Sequence, residues 1–248
     1  MNDPLPPANT TPPPLPAAAN PPAPASDPAE RDPIAGPFAA VEAILRQPRR
    51  LMNQLRQPGA EKLVAAMVLM ALLGGVIYGV VVGTFSGGVQ LWAAPVKIAA
   101  GMVLSAIICL PSLYIFVCLS GSRACFGQVA GLVAGLLLLT AALLVGFAPV
   151  AWLFSQSTSS AAWMGALHLM FWIIATAFGL RFLHGGFAEF EARTDAGFKT
   201  WVVIFMLVTI QMTTALRPLV GTSKTFLPTE KKFFLQHWGD CMNGSGDK

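Results

Sequence analysis

Residues 63–85 read LVAAMVLMALLGGVIYGVVVGTF, a run without one charged side chain. At ~1.5 Å per residue a helix of this length reaches about 34 Å, enough to cross the ~30 Å hydrocarbon layer of a bilayer. Hydrocarbon offers no water to backbone N–H and C=O groups, so such a segment has to bond to itself as a helix. Four further apolar blocks follow, at 97–119, 129–154, 161–182 and 201–220. The third is long enough to tilt, or to end in a re-entrant piece near Pro149. Composition agrees with this reading. Apolar residues make up 54% of the chain and charged residues 11%, against roughly 45–50% and about 25% in soluble domains.

Outside these blocks the chain changes character. Residues 1–37 hold thirteen prolines and little that could offset the entropy of ordering them, so a disordered Pro-rich tail is expected, either a spacer or a ligand for an aromatic-grooved adaptor domain. It contains no apolar stretch of the kind a signal peptide needs, so the N-terminus is expected to stay on the side of synthesis. Residues 38–62 place Phe38, Val41, Leu45, Leu51 and Leu55 at helical spacing among Arg46, Arg49, Arg50, Arg56 and Lys62, with Pro48 dividing the segment. Basic amphipathic helices beside a span lie at the interface, arginines among headgroups, or dock on the protein's own inner face. Residues 221–248 form an outer tail with a short amphipathic helix around TEKKFFLQHWGD.

Together these segments describe an all-α integral membrane protein with five transmembrane helices over 63–220. Of the sixteen Lys and Arg residues, ten fall on the side of the N-terminus when the spans alternate. That bias predicts the N-terminus inside and the C-terminus outside, in a bacterial-type cytoplasmic membrane. The basic residues flank hydrophobic blocks and do not form a face with interleaved aromatics, so the partner they suggest is the lipid bilayer and not nucleic acid.

Glycines give the most regular pattern. Gly75, Gly79, Gly83 and Gly87 recur every four residues on one helical face, and Gly127, Gly131 and Gly135 repeat the device in the third block. Small residues at this spacing let another backbone come close, from the same chain, a second copy or a membrane partner. The two stripes sit at opposite depths and so want different neighbours.

Chemistry is scarce. No Asp or Glu occurs between Glu61 and Glu189, and the last block has none either. That argues against an ion-coupled carrier and against paired-carboxylate catalysis. No GxSxG or HExxH frame is present, so neither a catalytic residue nor a cofactor is expected. His168, His184 and His237 fall in three separate compartments, and Cys109, Cys118, Cys125 and Cys241 lack metal-ligand spacing, so no metal is expected. Polar groups do gather at one depth. His168 and Gln211 lie about eight to nine residues from the outer ends of their spans, with Arg217 further out and Lys97 opening the second span on that side. They define a candidate outer crevice for a lipid headgroup or small anion, with Lys97 and Arg217 as charges. Snorkelling and interhelical hydrogen bonds explain the same residues without a ligand.

The basic lead-in QPRRLMNQLRQP, five spans, Pro111 in the second and glycine-rich early spans resemble the Yip1-type membrane proteins and their bacterial relatives. The resemblance covers roughly residues 45–220 and implies membrane organisation or partner recruitment, not catalysis. The long proline tail and the extended C-terminus depart from it. The alternative is a transporter or permease subunit that uses the outer crevice.

Overall fold

The structure, a computed structural model, describes residues 33–122, 124–158, 160–189 and 196–215. The tail over 1–32, Arg123, Arg217 and the expected C-terminal helix lie outside the described residues. Among the described residues seven helices follow one another: α1 Pro37–Arg46, α2 Pro48–Leu55, α3 Glu61–Ser86, α4 Gln90–Leu119, α5 Phe126–Ser157, α6 Ala161–Glu189 and α7 Ala196–Ala215. Helices α3 to α6 are each long and apolar enough to cross a membrane, while α7 is apolar but shorter within the described residues. Their outward faces carry Leu69, Ile77, Ile107, Leu153, Trp163 and Phe178, all exposed. A surface of this kind belongs to a membrane-embedded bundle, since water would not tolerate contiguous apolar faces of this size.

Local chemistry sets the helix ends. Pro37 and Pro48 occupy first turns, where the missing N–H costs nothing, and Gln47 between the two helices leaves the helical region at φ −137°. Gly87 and Gly88 turn the chain from α3 into α4 with φ of 64° and 54°, a left-handed pair that other residues adopt at a cost. Gln128 Oε1 accepts the backbone N–H of Cys125 at 2.9 Å, completing a capping box at the start of α5.

Helix α5 is the hub. Buried residues make up 67% of its most apolar stretch, against 33% in α3 and α4. It runs parallel to α3, with Gly131 beside Val64 and Gly74 beside Ala141, and antiparallel to α6, with Gly186 on Leu132, Gly135 on Phe182 and Phe147 stacked on Phe171 at 4.8 Å. Helix α4 packs on α3 and also touches α5, and α7 packs on α4. α5 passes through Pro149 as one unbroken helix, so the residues there are not re-entrant.

Three segments differ from expectation. Helix α4 starts at Gln90, seven residues before Lys97, which puts that lysine two turns inside the helix and not at its mouth. Residues 183–189, expected as loop, continue α6 because Gly185 and Gly186 let it lie against Met52 and Leu132. Ile34, expected in the tail, is buried, and its N–H donates to Gln54 Oε1 at 2.9 Å; it is the first large aliphatic side chain after Leu15.

Candidate functional site

The glycine faces are used within the chain. A Cβ on Gly79 would stand 2.4 Å from Pro95 Cα, one on Gly83 would stand 2.7 Å from the Gln90 carbonyl oxygen, and one on Gly75 would stand 3.2 Å from Ala99 Cα. Backbone therefore meets backbone along α3 and α4, which is the close approach that glycine permits. In the second stripe Gly131 faces Leu55 of α2 and Gly135 faces Phe182 of α6. Gly87 lies in the α3–α4 turn, and Gly127 has nothing within reach of a Cβ.

These contacts also fix heights. Lys97 falls between Pro95 and Ala99, which face Gly79 and Gly75, so it is level with Tyr78 to within a turn. On the α4–α7 side, Trp201 Nε1 donates to the Cys109 carbonyl at 3.0 Å. Gln211 lies ten residues beyond Trp201 and Ala99 ten before Cys109, so in this antiparallel pair Gln211 also shares the level of Lys97. His168 joins them through Tyr78: Tyr78 Oη and His168 Nδ1 are 2.7 Å apart, their rings edge to face at 5.6 Å. Four helices, α3, α4, α6 and α7, thus bring a polar side chain to one depth in the half of the bundle away from α1 and α2.

The sequence signal had three of these residues and missed Tyr78, which reads as an ordinary apolar position inside 63–85. It also put Lys97 at the mouth of the second span, either as a charge of the crevice or as a snorkelling side chain. The structure buries it two turns inside α4, with 1% of its surface exposed; Tyr78 and His168 are buried too, at 3% and 9%.

Two buried hydroxyls are satisfied within their own helix. Ser105 donates back to the Gly101 carbonyl and Thr209 to that of Phe205. The exceptions are informative. Among the described residues His168 Nε2, both amide atoms of Gln90 and Gln211 Oε1 are buried without a hydrogen-bond partner, as are the Thr140 and Thr176 hydroxyls further in. An orphaned polar group of this sort costs about 1–3 kcal/mol. Buried atoms left unpaired in numbers call for an explanation, an occupant of the site being one.

A second feature closes the opposite end. Helices α1 and α2 bury Ala40, Ala43, Ile44, Leu51, Met52 and Leu55 against α3, α5 and α6. Of the two arrangements open for this segment, the leucines of α2 thus take the one docked on the protein. Outward face Phe38, 79% exposed, and Leu45, with Arg46, Arg49, Arg56 and Lys62 exposed beside them. Arg50 is half-buried, and its guanidinium donates to Gln47 Oε1 at 3.1 Å. Arg46 pairs with Glu42 at 3.0 Å. The result is a basic platform with two apolar side chains two helical turns apart.

At the same end, an aromatic row fastens α7. Phe198 meets His184 and Phe187 of α6, and Trp201 stacks between Phe198 and Phe205. Cys109 is buried, and Cys118 and Cys125 are free and exposed. Among the described residues no three His, Cys, Asp or Glu side chains gather.

Fold and site together define a class, a membrane-embedded helical bundle with a polar level inside and a basic platform at one end. Compared with family models, curated proteins and solved structures, the chain matches none.

Proposed function

We propose that this is a non-enzymatic five-span membrane protein that organises membrane or recruits a partner, with the α1–α2 platform as its working surface. The observation that carries the reading is the way the platform is built. Its apolar face is locked onto three helices of the bundle, while Phe38, Leu45 and four basic side chains face away from it. A segment held this firmly presents the proline-rich tail and its own charged face at a fixed position on the membrane surface, which suits recruitment. Five of the seven stripe glycines, Gly75, Gly79, Gly83, Gly131 and Gly135, make close contacts within the chain and contribute rigidity to this role.

Helix α7 serves as the fifth span in this reading. It is apolar from Trp201 to Ile210 and runs antiparallel to α4. The charge bias then puts the platform in the cytoplasm of a bacterial-type cell. The likeness to Yip1-type proteins in span count, basic lead-in and lack of a catalytic signature points to the same role.

A photocrosslinking amino acid in place of Phe38, activated in native membranes, tests the proposal. The expected result is capture of a discrete membrane or peripheral protein that disappears when Arg46, Arg49 and Arg56 are changed to Glu. A chain that crosslinks to no protein, and whose level in the membrane and cellular phenotype ignore loss of residues 1–56, would overturn it. Reporter fusions after residues 122 and 158 report the orientation, expected inside and outside respectively.

A further inference from the structure

Two thiols at the platform end of the bundle serve no packing role. Cys118 lies in the last turn of α4 and Cys125 is the N-cap of α5, and both are free and exposed. A cysteine that only fills space belongs in the core, as the buried Cys109 does in the same helix. Local structure brings the exposed pair to one seam. Gly121, with φ of 81°, turns the chain just after α4, and Ser122 Oγ accepts the Ala124 N–H at 3.2 Å. Only six residues separate the two cysteines. Behind the turn, Tyr114 of α4 and Phe126 of α5 meet edge to face, their ring centroids 5.4 Å apart. Cys118 follows Tyr114 by one helical turn and Cys125 directly precedes Phe126, so both cysteines flank this contact on its loop side. The Tyr114 hydroxyl addresses both sulfurs: it is within hydrogen-bonding reach of the Cys118 thiol and interacts electrostatically with the Cys125 thiol.

We propose that Cys118 and Cys125 form a peroxide-sensitive dithiol that closes to a disulfide across the α4–α5 turn. In the first step one sulfur attacks an oxygen of hydrogen peroxide. An S–O bond forms, the O–O bond breaks, and the released hydroxide leaves as water with the thiol proton. The second sulfur then attacks the sulfenic acid, an S–S bond forms as S–O breaks, and a second water departs with the second proton. Two thiols lose two electrons and one peroxide becomes two waters. A small-molecule thiol reverses the bridge by exchange. A disulfide holds its Cα atoms about 4.4–6.8 Å apart, so the bridge fixes the last turn of α4 to the α5 N-cap. Gly131, in the second turn of α5, receives Leu55 of α2, which puts the dithiol at the end of the bundle where the platform docks. In the orientation proposed above this end is cytoplasmic, where thiols are kept reduced, and the bridge then forms only under oxidative challenge.

Full-length protein, purified reduced in detergent, is treated with hydrogen peroxide, quenched with N-ethylmaleimide and digested for mass spectrometry. None of these readouts depends on orientation. The expected product is a peptide pair joined through Cys118 and Cys125 within one chain and opened by dithiothreitol, with Cys109 unmodified. Bridging should be roughly tenfold faster in the folded protein than after unfolding in SDS and urea, because the fold raises the effective concentration of one thiol at the other. Cys118→Ser and Cys125→Ser should each abolish the bridge, leaving on the remaining thiol a sulfenic acid that dimedone traps. Equal rates in folded and unfolded protein overturn the proposal. So do oxidation to sulfinic acid without a bridge, bridges formed only between chains or to Cys241, and thiols that both stay reduced.

Discussion

Tyr78 Oη stands 2.7 Å from Nδ1 of His168, ninety residues further along the chain, with both side chains buried. The bond ties α3 to α6 directly, although α5 fills most of the space between them. Removing only the hydroxyl isolates its value. Tyr78→Phe keeps the edge-to-face packing and leaves Nδ1 without a partner, so unfolding in mixed micelles should show a loss of about 1–2 kcal/mol. A variant as stable as the wild type would mean that the bond contributes nothing net.

Gly79 and Gly127 make opposite predictions from the same substitution. A methyl at Gly79 would meet backbone atoms of Pro95 that cannot swing aside, so Gly79→Ala should push α3 and α4 apart and cost about 2–3 kcal/mol. Gly127→Ala meets nothing within 4 Å and replaces a poor helix former, so stability should hold or rise by up to about 1 kcal/mol. Both are read by the same unfolding titration, and equal effects would refute the asymmetry.

Trp201 anchors α7 through two kinds of contact. Trp201→Phe keeps the stacking on Phe198 and Phe205 and loses only the N–H donated to the Cys109 carbonyl, about 1 kcal/mol. The Cys109 oxygen still accepts from Ser112 Oγ, so no orphan is created. Trp201→Ala also empties a fully buried volume and should cost about 3–5 kcal/mol. Both losses are read by the same unfolding titration, and equal effects of the two substitutions would refute the split between bond and volume.

Docking of the platform rests on leucines whose partners are known. Leu55 packs its methyls into the space left by Gly131, and Leu55→Ala should cost about 2–4 kcal/mol locally. Trypsin would then cut faster after Arg49 and Arg56. Glu42→Gln removes an exposed ion pair worth about 0–0.5 kcal/mol, and the same digestion should not change.

How much of this could be read from the sequence differs element by element. Residues 63–85 announce a helix in hydrocarbon because length and apolarity are properties of the segment itself, and Pro48 announces a break because its ring and missing N–H act on adjacent residues. Gly75, Gly79 and Gly83 announce a close contact without naming its partner. The start of α4 was misread because a charge was taken as the edge of the membrane, whereas helix propensity and the paired glycines at 87 and 88 put the edge two turns earlier. Tyr78 gave no signal, since one phenol in an apolar run acquires meaning only when an acceptor stands opposite.

The sequence alone determined that these helices lie in lipid and roughly where each begins, because transfer of a residue to hydrocarbon depends on that residue and its near neighbours. The tertiary structure decided which groups meet: Tyr78 with His168, Gly79 with Pro95, Trp201 with the Cys109 carbonyl. Those pairings depend on the rotation and height of one helix against another. Both follow from packing the whole bundle, which no single segment encodes.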